Sequence, residues 1–298
     1  MFDLRYHVAS LAAVFFALVI GILVGVALAS HGLGNTERDS LERNLRVAQD
    51  RADGLQAQLD AIEEAGASDR AFVEESYELV IANRLKGRRI AVLFVGSIER
   101  APRSEIEQAV SDAGAGQPLR FRALTVPIDE REVANGLPKR PFFAAYSGEK
   151  QLGKLGQAMG EEFITGSDTS LWDALEGVIV EERSGPLKLP VDGVVIVRTV
   201  PAQTGSTAKF LKGLYAGIRG VGVPAVGVEL TDGDGSATAA FKKAKLATVD
   251  NVDTRIGKLA LAIVLSEEVK GNFGTKQPTA DDGLLPTVGP PPTDTTGG

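Results

Sequence analysis

From Val8 to Ala29 the chain reads VASLAAVFFALVIGILVGVALA, a run of 22 residues without a charge. A helix of that length covers about 33 Å at 1.5 Å per residue, and a bilayer's hydrocarbon core is about 30 Å thick. The pattern predicts a transmembrane helix kept as an anchor. The rival is a cleaved signal peptide, because Ala27-Leu28-Ala29 fits a small-x-small cleavage site and Arg5 gives a weak basic flank. Signal cores usually run only about 7 to 15 apolar residues, which favours the anchor. Small residues recur every fourth position at Ala9, Ala13, Ala17, Gly21, Gly25 and Ala29, and Gly21 to Gly25 is a G-x-x-x-G. Two membrane helices approach closely on such a face, so Ala17, Gly21 and Gly25 are candidates for self-association. The competing explanation is that Ala and Gly are simply common in membrane helices.

Between Glu37 and Glu64 the apolar residues fall at Leu41, Leu45, Ala48, Ala52, Leu55, Leu59 and Ile62, with spacings that alternate four and three. This is a heptad repeat and predicts a juxtamembrane coiled coil. In a parallel homodimer Leu41, Leu45, Leu55, Leu59 and Ile62 would carry the seam. The alternative is an amphipathic helix folded back on the protein's own domain. Gly66 is expected to interrupt the helix and Ser68 or Asp69 to cap a second one, which Phe72, Val73, Val80 and Leu85 carry to Gly87.

After Gly87 the period changes. Arg89 to Val95 is a short continuous apolar run, as expected of a strand covered on both faces. Ser104 and Glu107 predict a capping box for a helix with Ile106, Ala109, Val110 and Ala113 on one face, ended by Gly114. Leu119 to Val126 reads as a strand, Leu152, Leu155, Met159 and Phe163 as a helix face, and Leu171, Trp172 and Leu175 as a further short helix. Val194 to Val197 is the strongest buried-strand signal. A helix through Phe210, Leu211, Leu214 and Ile218 follows, then a strand from Pro224 to Leu230. Leu246 to Val249 and a helix through Ile256, Leu259, Ala260 and Ile263 extend the alternation. Strands alternating with helices predict an α/β domain with a parallel sheet between helical layers, Rossmann-like or flavodoxin-like. The expected division is 1–34 for the membrane segment, 35–87 for the coiled coil and linker helices, 88–274 for the three-layer domain and 275–298 for a disordered Pro/Gly/Thr-rich tail.

Composition narrows the function. With 44% hydrophobic and 24% charged residues the chain is globular, and a net charge of -7 argues against a nucleic-acid partner. Cysteine is absent, which removes thiol nucleophiles and thiolate metal sites. The histidines are His7 and His31, at opposite ends of the apolar run and about 36 Å apart in a straight helix, so one chain cannot chelate a metal with both. They are expected to be solvated at the membrane interfaces; a dimer could pair each with its mate. Met159 falls on an apolar helix face, where a core role is the expectation. No catalytic residue stands out. Gly220 to Ala225 matches G-x-G-x-x-A but precedes a strand instead of following one, outside the dinucleotide context. Asp232-Gly-Asp234-Gly-Ser236 opens like a calcium loop, yet Lys243 holds the twelfth position where Glu is needed. The Glu pairs 74/75, 161/162, 181/182 and 267/268 are expected on solvated faces.

The opening RYHVASLAAVFFALVIGILVGVAL, the heptad helix, the strand entry LKGRRIAVL and the segment ATVDNVDTRIGKLALAIVLSEEVKGNFG resemble the MctB-type copper transporter family, known mainly from actinobacterial envelopes. The resemblance covers nearly the whole chain except the tail. It implies an envelope protein of copper homeostasis or efflux, with a single-pass anchor in the cell membrane and the C-terminal domain outside the cytoplasm. Arg38, Arg43 and Arg46 after the span, taken alone, favour the opposite orientation, but large domains translocate largely regardless of such charges. The resemblance supplies no copper ligand, because no matched position has ligand chemistry; copper enters as transported ion and not as cofactor. A non-enzymatic dimeric scaffold that binds a cell-wall or division protein is the alternative.

Overall fold

The computed structural model describes residues 4–29 and 35–287, apart from 117, 119, 167–168, 186–187, 233–235, 277 and 279. His31, Asp234 and the tail from residue 288 therefore lie outside the described residues. The chain forms two compact units, Met1–Asp69 and Arg70–Gly298.

The first unit holds helix α1 (Leu4–Ala29) and most of helix α2 (Asn35–Ile81). Within α1, Val8–Ala27 has a mean hydropathy of 2.7 and none of it is buried against protein. Helix α2 runs 47 residues without a break. The expected interruption at Gly66 and the cap at Ser68 or Asp69 are not present. One glycine costs a helix only about 1 kcal/mol against alanine, and the flanking Glu, Ala, Leu and Gln are good helix formers. Continuing the alternating spacing from Ile62 leads to Gly66, Asp69, Val73, Ser76 and Val80. In the second unit Val73, Ser76 and Val80 are half-buried, while Tyr77 and Ile81 are buried in a core. The last turns of α2 thus pack on the protein's own domain, whereas Leu41 to Ile62 is exposed. Phe72, expected on the packed face, points away from it and is 71% exposed.

The second unit is built on β1 (Ile90–Val95), α3 (Arg100–Asp112), β2 (Arg120–Leu124), α4 (Glu130–Gly136), α5 (Pro141–Ala144), α6 (Leu152–Thr165), α7 (Ser170–Ala174), β3 (Val180–Ser184), β4 (Gly193–Arg198), α8 (Gly205–Gly220), β5 (Ala225–Val228), α9 (Thr238–Lys243), β6 (Ala247–Val249), α10 (Arg255–Glu267) and β7 (Asn272–Phe273). The seven strands lie in the order β3-β2-β1-β4-β5-β6-β7. All pairs are parallel except β2 with β3. Alternation along the strands divides the core between two faces. Leu93 and Ile196 meet α6, α7 and α8 on one side; Val92 and Val195 meet α3, α10 and the end of α2 on the other. This is the expected three-layer α/β arrangement.

Local differences have identifiable causes. Helix α3 begins a turn before the expected capping box, because Pro102 suits a first helical turn; Ser104 then sits inside the helix and donates its hydroxyl to the carbonyl of Ala101. Strand β3 was not foreseen. Its Val-Glu-Glu-Arg-Ser sequence is polar because it forms the sheet edge, so Glu181 and Glu182 lie on a strand. Glu74, Glu162 and Glu267, from the other three Glu pairs, also bond within the domain: Glu74 to Arg255, Glu162 to the N–H groups of Leu171 and Trp172, and Glu267 to Arg84. The chain does not leave the domain at residue 275. Asp250 accepts from the N–H groups of Thr275 and Lys276, Lys242 pairs with Asp281 at 2.7 Å, and Ala280 is buried.

Helices α6 and α8 touch through glycine. A Cβ at Gly156 would overlap the carbonyl oxygen of Phe210, one at Gly160 that of Leu214, and one at Gly217 that of Gln157. No side chain separates the two backbones there.

Candidate functional site

The residues expected to mediate association all lie on the first unit's helices. Ala17, Gly21 and Gly25 occupy α1, and a Cβ at either glycine would meet nothing within 4 Å. Leu41, Leu45, Leu55, Leu59 and Ile62 occupy α2 and are 37%, 43%, 61%, 54% and 68% exposed. Ala48 and Ala52 are exposed with them. Among the described residues these side chains form an exposed apolar stripe along α2.

Sheet topology indicates a second place to look. In open α/β sheets ligands bind outside the carboxyl ends of the strands, where neighbouring strands send their helices to opposite faces. Here that point lies between β1 and β4. It is closed: Thr199 donates its hydroxyl to the carbonyl of Ser97 at 2.9 Å, and a Cβ on Gly96 would overlap Thr199 and Val200. Gly96 holds a φ of 108°, which favours glycine. Beside this closure, over β4 and β5, is a cleft of about 350 Å³ lined by Glu99, Arg198, Glu229, Asp232 and Lys276 among others. Glu229 accepts from the N–H groups of Ala237 and Thr238, from the Ser236 hydroxyl and from Lys276 at 3.1 Å. Asp253 accepts from the Thr231 N–H at 2.7 Å. These carboxylates, like Asp250, fasten loops. Both oxygens of Glu229 and of Asp250 accept from internal donors, and so does Oδ1 of Asp253.

Sequence reasoning missed two buried arginines. Arg120 and Arg122 lie on β2, each 1% exposed. Arg120 donates to the carbonyls of Phe163 and Leu189, Arg122 to those of Phe121 and Ser184. Burial pushes the Arg122 guanidinium down to about 10, helped by the charges of Arg120 and Arg183. A run of RFRAL carries alternating polarity, but nothing in it says that the arginines face inward. Arg89 is more ordinary: it grips Asp192 with Nε and Nη2, each at 3.0 Å, and holds that carboxyl below its usual range.

For metal chemistry, Met159 is fully buried in the core between the sheet and α8, and its carbonyl accepts from the Trp172 indole at 2.8 Å. Among the described residues no three of His, Cys, Asp and Glu come together as a metal group. The G-x-G-x-x-A at Gly220 lies in the turn from α8 into β5, before the strand, as its sequence context indicated.

The apolar α1, the exposed stretch of α2, termed the stalk, and the α/β domain stand in one chain, and a family model described as copper transport outer membrane protein, MctB, matches residues 1–282. The chain belongs to this family. No curated protein matches it. The MctB match takes in α1, all of α2, the sheet and the segment that closes on β7, so the family is defined by the whole arrangement and not by the domain alone. It is a copper transport family and not an enzyme family, and the apolar α1 agrees with a place in the envelope.

Proposed function

We propose that the protein serves copper homeostasis from the cell membrane, as the single-pass, dimeric part of an outward copper route whose α/β domain stands outside the cytoplasm. The observation that carries this is the family match from residue 1 to 282, which joins copper transport to the anchor, stalk and domain together. Helix α1 is one apolar span, and one helix encloses no pore. Transport therefore needs several chains or a partner. The exposed seam from Leu41 to Ile62 and the small face of Ala17, Gly21 and Gly25 support pairing of two copies, first within the bilayer and then along α2.

Copper is the cargo in this reading. Copper(I) seeks thiolate or thioether ligands and copper(II) imidazole; the chain has no Cys, and Met159 is spent on core packing. The domain accordingly acts by binding or positioning other components, without catalysis. Deleting the gene in its native host tests the proposal. Lowered copper tolerance with normal cell shape and division is expected. Normal tolerance with a shape or division defect would transfer the role to a scaffold for cell-wall or division proteins.

A further inference from the structure

The amino ends of the strands carry a second cavity, on the side of the sheet away from the cleft over β4 and β5. Between the N-terminal ends of β5 and β6 and the end of α10 lies a cavity of about 330 Å³, with Arg219, Lys245, Lys270 and Glu268 on its walls. Among the described residues none of these four side chains has an ion-pair partner, in a chain whose net charge is -7. All four are exposed, and Val223, Leu246 and Val264 supply an apolar wall.

Helix capping explains only part of this. Arg219 lies in the last turn of α8, where a cation complements the helix dipole. Glu268 is the C-cap of α10, where the same dipole disfavours a carboxylate. Lys245 and Glu268 also hold φ values of 60° and 55°, the left-handed conformation that helix ends usually give to glycine. Only three non-glycine residues adopt positive φ among the described residues, and two of them line this cavity. Side chains kept against backbone preference point to a use for the side chains.

We propose that this cavity binds a small zwitterion, a phosphate or carboxylate joined through a few methylenes to an amine. The three cations take the anionic end, Glu268 takes the ammonium, and the apolar wall holds the carbon chain between them. Isothermal titration of the full chain in detergent tests it, with O-phosphoethanolamine and inorganic phosphate as probes. Phosphoethanolamine should saturate one site per chain and bind more tightly than phosphate. Arg219→Ala and Lys245→Ala should each weaken both probes roughly tenfold or more, as the loss of a charge-assisted contact does. Glu268→Gln should weaken phosphoethanolamine but strengthen phosphate, a reversal that a purely structural role cannot produce. Stronger competition by phosphatidylethanolamine in mixed micelles than by free phosphoethanolamine would assign the same chemistry to a lipid headgroup. Because the four residues are exposed, the variants should keep the fluorescence of the buried Trp172, which serves as the folding control. Absence of saturable binding by both probes, or affinities unchanged in folded variants, would overturn the proposal.

Discussion

At Gly217 a single methyl group would meet the backbone of α6, since its Cβ would overlap the carbonyl of Gln157. Neither backbone can step aside without parting the two helices. Gly217→Ala is therefore expected to cost about 1–3 kcal/mol, the usual penalty of overpacking, and to lower Tm by a few degrees per kcal/mol in a thermal melt followed through Trp172. An unchanged Tm would mean that the helices slide apart freely. Asp192 gives a pH-dependent case. Its carboxyl is held below the unfolded value of about 3.9 by the Arg89 guanidinium, so the stabilisation is present above that value and is lost as pH falls through the lower folded value. Asp192→Asn should reduce stability at neutral pH and flatten the loss below about pH 4, measured by denaturant melts across that range. These residues differ in how visible they were in the sequence. G-x-x-x-G is conspicuous in an uncharged apolar run such as that of α1, whereas Gly156 with Gly160 and Gly213 with Gly217 repeat the same spacing among polar residues, where it signals nothing by itself. Their meaning depends on two helices about forty residues apart in the chain meeting face to face. Arg120 and Arg122 were hidden for a related reason, because the carbonyls they bond belong to segments that only the fold brings near.

Elements whose cause is local were legible. Strands β1 and β4 are covered on both faces and read as unbroken apolar runs; α6, α8 and α10 showed their buried faces through helical spacing. Strand β3 escaped because an edge strand has one neighbour and polar side chains. The unbroken α2 escaped because glycine is a weak breaker when its neighbours favour helix. Gly54 lies within α2 and a Cβ there would meet nothing within 4 Å, so Gly54→Ala should strengthen the helix by about 0.5–1 kcal/mol, seen as higher resistance of the stalk to heat by far-UV circular dichroism. Gly21→Ile with Gly25→Ile should block close approach in the bilayer, and Leu45→Asp with Leu59→Asp should set like charges facing each other in the seam. Either pair should weaken the proposed dimer, and all four together should leave monomers on cross-linking in membranes. The domain should melt unchanged, because its two cores are built from Tyr77 onward. A quadruple variant that cross-links like wild type would remove the stalk from the interface.

At the scale of the molecule, a cysteine-free α/β domain is joined through a 47-residue helix to one apolar span, in a family described by copper transport. The division of labour follows from ligand chemistry. With Met159 inside the core and both histidines before residue 35, the domain from Arg70 onward should take up no stoichiometric copper in a calorimetric titration with either oxidation state. A tight site there would return direct copper binding to the domain. In the proposed function copper moves only through an assembled protein. The most direct test is the copper content of cells grown in added copper, measured by elemental analysis in a deletion strain carrying no gene, the wild-type gene or the quadruple stalk variant at equal protein levels. Excess copper in the deletion strain, restoration by wild type and no restoration by the variant are expected; full restoration by the monomeric variant, or copper unaffected by deletion, would contradict an assembled copper route.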